Sequence, residues 1–374
     1  MRLNKIRLYR PNSISGGGAG SIVDAPYDAS VWNTDFTQGA SRNSIRDKIE
    51  SMGYVSGKVL YVDAAAGNDS TALRGNILKP FQSVYVASAY STVGDLIFVF
   101  PGTYTLTSFG LPLRDQVDYY MLDASFENHG FSYGLLMVYP YSVTCKLFGK
   151  ATFTDFQPAG GWAMITPYMD CAIEIEGMTF ISNKQIMGQL GSSGSQKIIK
   201  FKNCKLISND NATMYYRNGA FNTGSALFED CYLKGNFLVS NAGMHPSYDY
   251  KVRFSNCVLE ANSVNTNGET SFLHLFEYYG NAELSKVFLD RCVLRSSTYN
   301  IWIGEGYGAI GTNKFVIVKD CYFYNANGSG WIKNDHANAQ FKLVNNWSQY
   351  VASGSVPVTN LLSGVGFICD SNLE

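Results

Sequence analysis

Glu277 and Glu305 stand 28 residues apart, each in a short aromatic segment. Leu273-His274-Leu275-Phe276-Glu277-Tyr278-Tyr279-Gly280 aligns residue for residue with Ile301-Trp302-Ile303-Gly304-Glu305-Gly306-Tyr307-Gly308. If a repeating fold stacks the two segments, the carboxylates project from neighbouring layers about 5 Å apart at the backbone. Carboxyl pairs about 5–5.5 Å apart suit retaining glycoside hydrolysis, and a wider gap suits inversion. Stacked like charges raise one of the two pKa values, as a general acid requires. Tyr279, Trp302 and Tyr307 flank the pair. Trp331, Asp335 and His336 fall one repeat later, and Tyr215, Tyr216 and His245 lie earlier. Flat aromatic faces suit sugar rings. The chemistry expected is therefore glycan cleavage by Glu277 and Glu305, or glycan binding by the same aromatics without an acid pair. The plain alternative is two glutamates that point independently to solvent from surface turns.

The element that would stack these segments is marked by cysteines. Five of the eight sit in one pattern, at Cys204, Cys231, Cys257, Cys292 and Cys321. Five residues before each is an apolar or small residue, and three before is Phe, Leu or Val. Immediately before is Asn, Asp or, once, Arg, and two after is Leu or Phe. Ile173, Ile175, Met178 and Phe180 match upstream with Met178 at the Cys place. Phe341, Leu343 and Asn346 match downstream with Asn346 there. The steps from Met178 to Asn346 are 26, 27, 26, 35, 29 and 25 residues, with a mean of 28.

A period of this size means a solenoid, a propeller or an array. Apolar residues at −5 and −3 read as a strand with one face inward. The Asn or Asp that follows reads as a tight bend, because these residues tolerate a left-handed backbone. Strand, bend, strand and variable loop make one rung of a parallel β-helix; a propeller blade needs about 40–50 residues. The cysteines then form an internal column of free, buried thiols. Disulfides are disfavoured by parallel Cβ vectors, and no Cys-x-x-Cys or Cys/His cluster supports a zinc site.

Composition excludes several classes. Of 374 residues 46% are hydrophobic, 14% aromatic and only 16% charged, with a formal net charge of −1. Nucleic-acid binding is not expected, since such proteins carry a basic excess. Disorder is not expected either, because apolar residues are plentiful. The basic N-terminus is followed by no apolar run of signal-peptide length, and Leu96–Phe100 is too short to span a membrane. No export signal and no membrane insertion are expected. His129, His245, His274 and His336 form no metal-spaced motif, and no phosphate loop or nucleophile elbow is present. Asp63, Asn68 and Asp69 could hold a cation but read better as a structural turn. No metal and no cofactor are expected.

Residues 58–104 have their own texture. Val59–Asp63 reads as a strand, Ala66-Gly67-Asn68-Asp69-Ser70 as a turn, and Lys79-Pro80-Phe81 leads into a short helix, Val84–Tyr90. Gly94-Asp95 then turns into Leu96–Phe100, and Pro101-Gly102-Thr103-Tyr104 closes the unit. This order resembles the opening of pectate-lyase-like right-handed β-helix proteins, whose short helix caps the open end of the coil. The resemblance covers about 58–346 and implies a fold more than an activity, because the fold serves lyases, hydrolases and adhesins alike. The calcium-binding acids and Arg or Lys base of the pectate lyases are not matched on the coil face.

Residues 1–57 do not fit the coil. Ser15–Ser21 is a glycine-rich linker by composition. Ser41 reads as an N-cap, and Ile45, Ile49 and Met52 fall at i, i+4 and i+7, an apolar stripe for one partner. Trp32 and Asp35 followed by Ala40-Ser41-Arg42-Asn43 and Ile45–Glu50 resemble a segment of bacteriophage tail-fibre and receptor-binding proteins, which are usually homotrimers. The resemblance implies a virion fibre or spike, head or tail, assembled in the host cytoplasm. Residues 1–57 would attach it to other virion proteins, and Trp32, Ile45, Ile49 and Met52 would serve oligomerisation. A lone helix docking on the coil is the other possibility. The expected organisation is an attachment segment over 1–57, an all-β, single-stranded right-handed parallel β-helix over 58–346, and a C-terminal cap over 347–374. The expected partner is host surface polysaccharide, with a glycan depolymerase on the same scaffold as the alternative.

Overall fold

The computed structural model describes residues 49–50, 53–54, 58–106, 110–128, 136–138, 142–155, 164–167, 171–182, 186, 196–208, 213–217, 223–241, 252–261, 273–277, 286–296, 300–303, 314–325, 332–334, 339–350, 362–364 and 367–370. It is an all-β right-handed parallel β-helix. Each rung has a leading strand, a bend and a trailing strand, and among the described residues these join across rungs into one sheet of nineteen strands. A third face is supplied by Leu111–Pro112, Leu136–Val138 and Ile165–Pro167, and in later rungs by a six-stranded sheet from Thr213–Arg217 to Leu362–Gly364. Neighbouring rungs are in parallel register: Phe201 pairs with Ile175 on one side and Phe228 on the other.

The bends explain the Asn, Asp and Arg before each cysteine. Asn203, Asp230, Asn256, Arg291, Asp320 and Asn345 all adopt φ between 50° and 54°. One left-handed residue resets strand parity, so the next side chain points inward again. Its N–H is not left unpaired, since Asn203 N–H donates to Glu229 O at 3.0 Å and Asp230 N–H to Ser255 O at 3.0 Å. In the preceding rung the place is taken by Gly177, at φ 78°, where a Cβ would stand 2.2 Å from Gly149 O. Earlier bends are looser: the register of Val143–Asp155 shifts between Phe148 and Ala151, and that of Asp118–Asn128 between Leu122 and Ala124.

Inside the coil, from the rung of Phe153 to that of Phe254, one aromatic ring per rung fills the same space from either of two columns. Phe126, Phe153 and Phe180 lie after the bend and stack at 4.7 and 5.0 Å. Phe201, Phe228 and Phe254 lie before it and stack at 5.0 and 4.9 Å. The ladder crosses the core between Phe180 and Phe201, which meet edge-on at 6.2 Å. Where the ring comes from one column, the other supplies a buried aliphatic: Leu147 and Ile175 first, then Leu206, Leu233 and Leu259. Across these rungs the volume at the two positions is conserved, as close packing demands.

Helix α1, Val84–Tyr90, covers the N-terminal end of this core. Ser83 caps it by accepting from Tyr85 N–H and Val86 N–H, and Val84, Ala87 and Ser88 are buried. The cap closes strand ends that would otherwise lie open. The turn before it is structural. Asp63 Oδ1 accepts from Ala65 and Ala66 N–H at 2.9 and 3.0 Å, and Asp69 Oδ1 from Gln82 and Ser83 N–H at 2.8 and 3.0 Å. Beneath α1, Asp95 is buried and meets Arg74 at 2.8 Å, tying the Gly94-Asp95 turn to the preceding loop.

Pairing runs on past residue 346. Trp347–Tyr350 pairs with Tyr322–Asn325, and Phe367–Asp370 pairs with Ala339–Val344, so these parts of the expected cap continue the coil. At the other end, Ile49 is buried in an outer apolar cluster with Val59, Tyr61, Leu96, Phe98 and Leu122. The end of the N-terminal segment is thus docked on the outside of the first rungs. Trp32, Ile45 and Met52 lie outside the described residues.

Candidate functional site

On the third face, Leu273–Glu277 pairs with Ile301–Ile303, placing Leu273 opposite Ile301, His274 opposite Trp302 and Leu275 opposite Ile303. That is the 28-residue offset that relates Glu277 to Glu305. Glu277 ends its strand opposite Asn241 of the preceding rung. On the following rung Trp302 pairs with Lys333. Glu305, Tyr279, Tyr307, Trp331, Asp335 and His336 lie outside the described residues, as do His245 and His129. Among the described residues no group of three or more His, Cys, Asp or Glu could hold a metal ion, and no helix is long and apolar enough to cross a membrane.

The described residues place a different set of groups together. A shallow groove of about 440 Å³ runs across the outer face of the leading strands. Its floor includes Asp118, Lys146, Glu174 and Lys200, which sit directly opposite one another on four successive rungs. Asp118 Oδ1 accepts from Lys146 N–H at 2.8 Å. Lys146 Nζ lies 3.9 Å from Glu174, and Lys200 Nζ lies 3.6 Å from Glu229 on the next rung. Thr144, Ala172, Ile198 and Leu227 are among the other lining residues, from polar to apolar along the coil. Tyr54 closes the N-terminal end by donating its hydroxyl to Asp118 Oδ2 at 2.5 Å. Burial first, and the Asp118 contact second, push the Tyr54 hydroxyl well above its ordinary value, so it remains a donor.

Alternating carboxylates and ammonium groups give this face acceptors and donors without a net field. Such a surface can bind a hydroxyl-rich ligand by hydrogen bonds, the carboxylates accepting from O–H and the lysines donating to ring or hydroxyl oxygens. Sequence reading missed this column although its steps, 28, 28 and 26 residues, carry the repeat period. The cysteine signature ends at Met178, because Ala151 and Ala124 occupy the Cys place in the earlier rungs and their bends hold Gly149 and Asp123. Aligning upstream rungs by period alone would have found it.

No family model and no curated protein matches the chain. Among solved structures, the pectate lyase Pel9A superposes with a TM-score of 0.56 at 16% identity, covering 86% of this chain and 81% of that one. Two structures of a GH136 lacto-N-biosidase from Eubacterium ramulus give TM-scores of 0.35 and 0.33 at 10% identity. They cover 92% and 88% of this chain and 71% and 69% of theirs. The likeness to the pectate lyase shows a pectate-lyase-like parallel β-helix, the fold that the strand pairing defines.

Proposed function

We propose that the chain is a fibre or spike subunit of a virion, a homotrimer whose β-helix binds a host-surface polysaccharide and whose residues 1–57 join it to other virion proteins. The observation that carries the binding is the groove floored by Asp118, Lys146, Glu174 and Lys200. It runs from rung to rung along the coil axis, and a linear polymer has the shape to follow it. The virion assignment rests on the resemblance of the segment around Trp32, Ile45 and Met52. Free, buried thiols at Cys145, Cys171, Cys204, Cys231, Cys257, Cys292 and Cys321 agree with assembly in a reducing cytoplasm. Two measurements test this. Light scattering on the eluted full chain should give a trimer mass, and a stable monomer would overturn the trimer. Host capsular polysaccharide cast into a native gel should retard the protein, and unchanged mobility would overturn glycan binding.

A second reading, a polysaccharide-cleaving enzyme on the same scaffold, is favoured by the 28-residue offset between the paired strands Leu273–Glu277 and Ile301–Ile303, the same spacing that separates Glu277 from Glu305 in the sequence. Incubation with the same polysaccharide should then release reducing ends or unsaturated sugars, and Glu277→Gln and Glu305→Gln should each abolish the release. No release from the wild type removes this reading and leaves binding intact.

A further inference from the structure

Resting on the glycan-binding reading above, we propose that the outer face of the trailing strands carries a second sugar-binding track, separate from the groove. Its residues are Tyr232, Val258, Val293, Tyr322 and Trp347, and its ligand is a linear polysaccharide laid along the coil axis with its C–H faces against them. The five are in direct register on successive rungs: Tyr232 opposite Val258, Val258 opposite Val293, Val293 opposite Tyr322, and Tyr322 opposite Trp347. Strand alternation turns all five outward, since Leu233, Leu259, Leu294 and Phe323, one residue further on, are fully buried. Trp347 is 52% exposed, high for the largest apolar side chain in a strand.

The margins decide what fits. On one side run the bend residues, of which Asp230, Asn256 and Arg291 are exposed. On the other run Lys234, Glu260 and Arg295, with Tyr232 donating to Glu260 at 3.1 Å and Lys234 meeting Glu260 at 3.5 Å. The apolar strip is therefore one side chain wide between two polar rows. A protein partner needs a broad buried core of about 800 Å² per side, and a strip this narrow offers none. A polysaccharide presents flat apolar faces edged by hydroxyls, which matches an apolar centre with hydrogen-bonding rims. The rung spacing, about 4.8 Å, is close to the advance of one pyranose ring, so the column offers each sugar one apolar contact. The aromatic end is the anchor: Tyr324, two residues beyond Tyr322 on the same outward side, widens it beside Trp347. The groove lies on the leading strands of earlier rungs, so the two surfaces are distinct.

Native gels cast with laminarin, with polygalacturonate or with host capsular polysaccharide test the track on the full chain. Trp347→Ala and Tyr322→Ala should each weaken the retarding probe about tenfold, as loss of one stacked ring implies, and Trp347→Phe should keep most of it. Urea midpoints equal to wild type confirm that the variants fold. If both alanine variants bind as wild type while Lys146→Ala loses binding, the track is wrong and the groove alone carries the function. If no probe retards the wild type, the track falls together with the glycan-binding reading. If Trp347→Ala instead lowers the mass found by light scattering, the strip is a contact between copies and the sugar track is overturned.

Discussion

The side-chain carbonyl of Asn346 accepts from the backbone N–H of Cys321 at 3.0 Å, the same service that the sulfur of Cys321 gives to the backbone N–H of Cys292 at 3.3 Å. After each left-handed bend the next N–H points into the core, where no strand reaches it. The residue one rung on must supply a small buried acceptor. The thiol also donates, to the carbonyl two residues back: Cys231 to Glu229 O at 3.2 Å and Cys321 to Lys319 O at 3.2 Å. The cysteine column thus satisfies buried backbone groups as well as filling space. Asn346 does both with its amide, donating to Val318 O at 2.9 Å.

Asn346→Ala should therefore cost more than its lost volume. It strands the Cys321 N–H and the second acceptor site of Val318 O, at about 1–3 kcal/mol for an unsatisfied buried group. Asn346→Cys, which restores the acceptor, should recover most of the loss. Urea midpoints check both, and an Asn346→Ala midpoint equal to wild type would show that the column is packing alone.

The exchange of the ring between columns from Phe153 to Phe254 predicts a rescue. Phe228 stacks 5.0 Å from Phe201 and 4.9 Å from Phe254, with Leu233 facing it from the other column. Phe228→Leu leaves a gap, and Leu233→Phe alone overpacks the rung, at about 1–3 kcal/mol. Together they move the ring across the core as the chain itself does between Phe180 and Phe201. The double variant should be more stable than the sum of the singles by about 1 kcal/mol or more. Strict additivity in chemical denaturation would refute the volume exchange.

These cases also show what the sequence makes legible. The bend residues, the Cys column, helix α1 and the strand pattern follow from local chemistry repeated at a fixed period, so Asn203 or Cys257 identifies its own place. The groove does not announce itself in this way. Asp118, Lys146, Glu174 and Lys200 are ordinary alternating charges within their own strands, and only cross-rung register brings them together. Ile49 is similar: its stripe signals a partner, but nothing local says that the partner is the outer face of Val59–Val62 and Leu96–Val99.

The charged column yields a salt-dependent prediction. Glu174 lies between Lys146 and Lys200 in direct register. Glu174→Lys would place three ammonium groups in a row, and like charges directly opposite on adjacent strands cost up to about 1 kcal/mol. All three side chains are partly solvated, so screening should remove most of the penalty near about 1 M salt. Melting temperatures at low and high ionic strength should converge for the variant and the wild type. A difference that persists in high salt would mean that Glu174 acts through packing rather than charge.

Stability should also fall in alkali, for a reason that lies in the core. Burial pushes the Cys145 thiol up, and the thiols of Cys204 and Cys257 are raised chiefly by hydrogen bonds with Cys231 and then by burial. At Cys292 the bond with Cys257 lowers the thiol, but its bond with Cys321 and burial together outweigh this and raise it. Cys231 is shifted the other way, by its hydrogen bonds with Cys204 and Cys257. In the unfolded chain every thiol ionises near about 8.5. Above that pH the unfolded state has shed protons that the four raised thiols still hold in the native state. The native state then binds more protons, and stability drops as pH rises, by up to about 1.4 kcal/mol per pH unit for each such thiol. Cys231, shifted the other way, does not add to that decline. Urea midpoints should stay level just below that pH and decline steadily beyond it. An aromatic disulfide reagent should leave these thiols unmodified until the coil opens, and rapid labelling of the native protein would show that the column is reached by solvent.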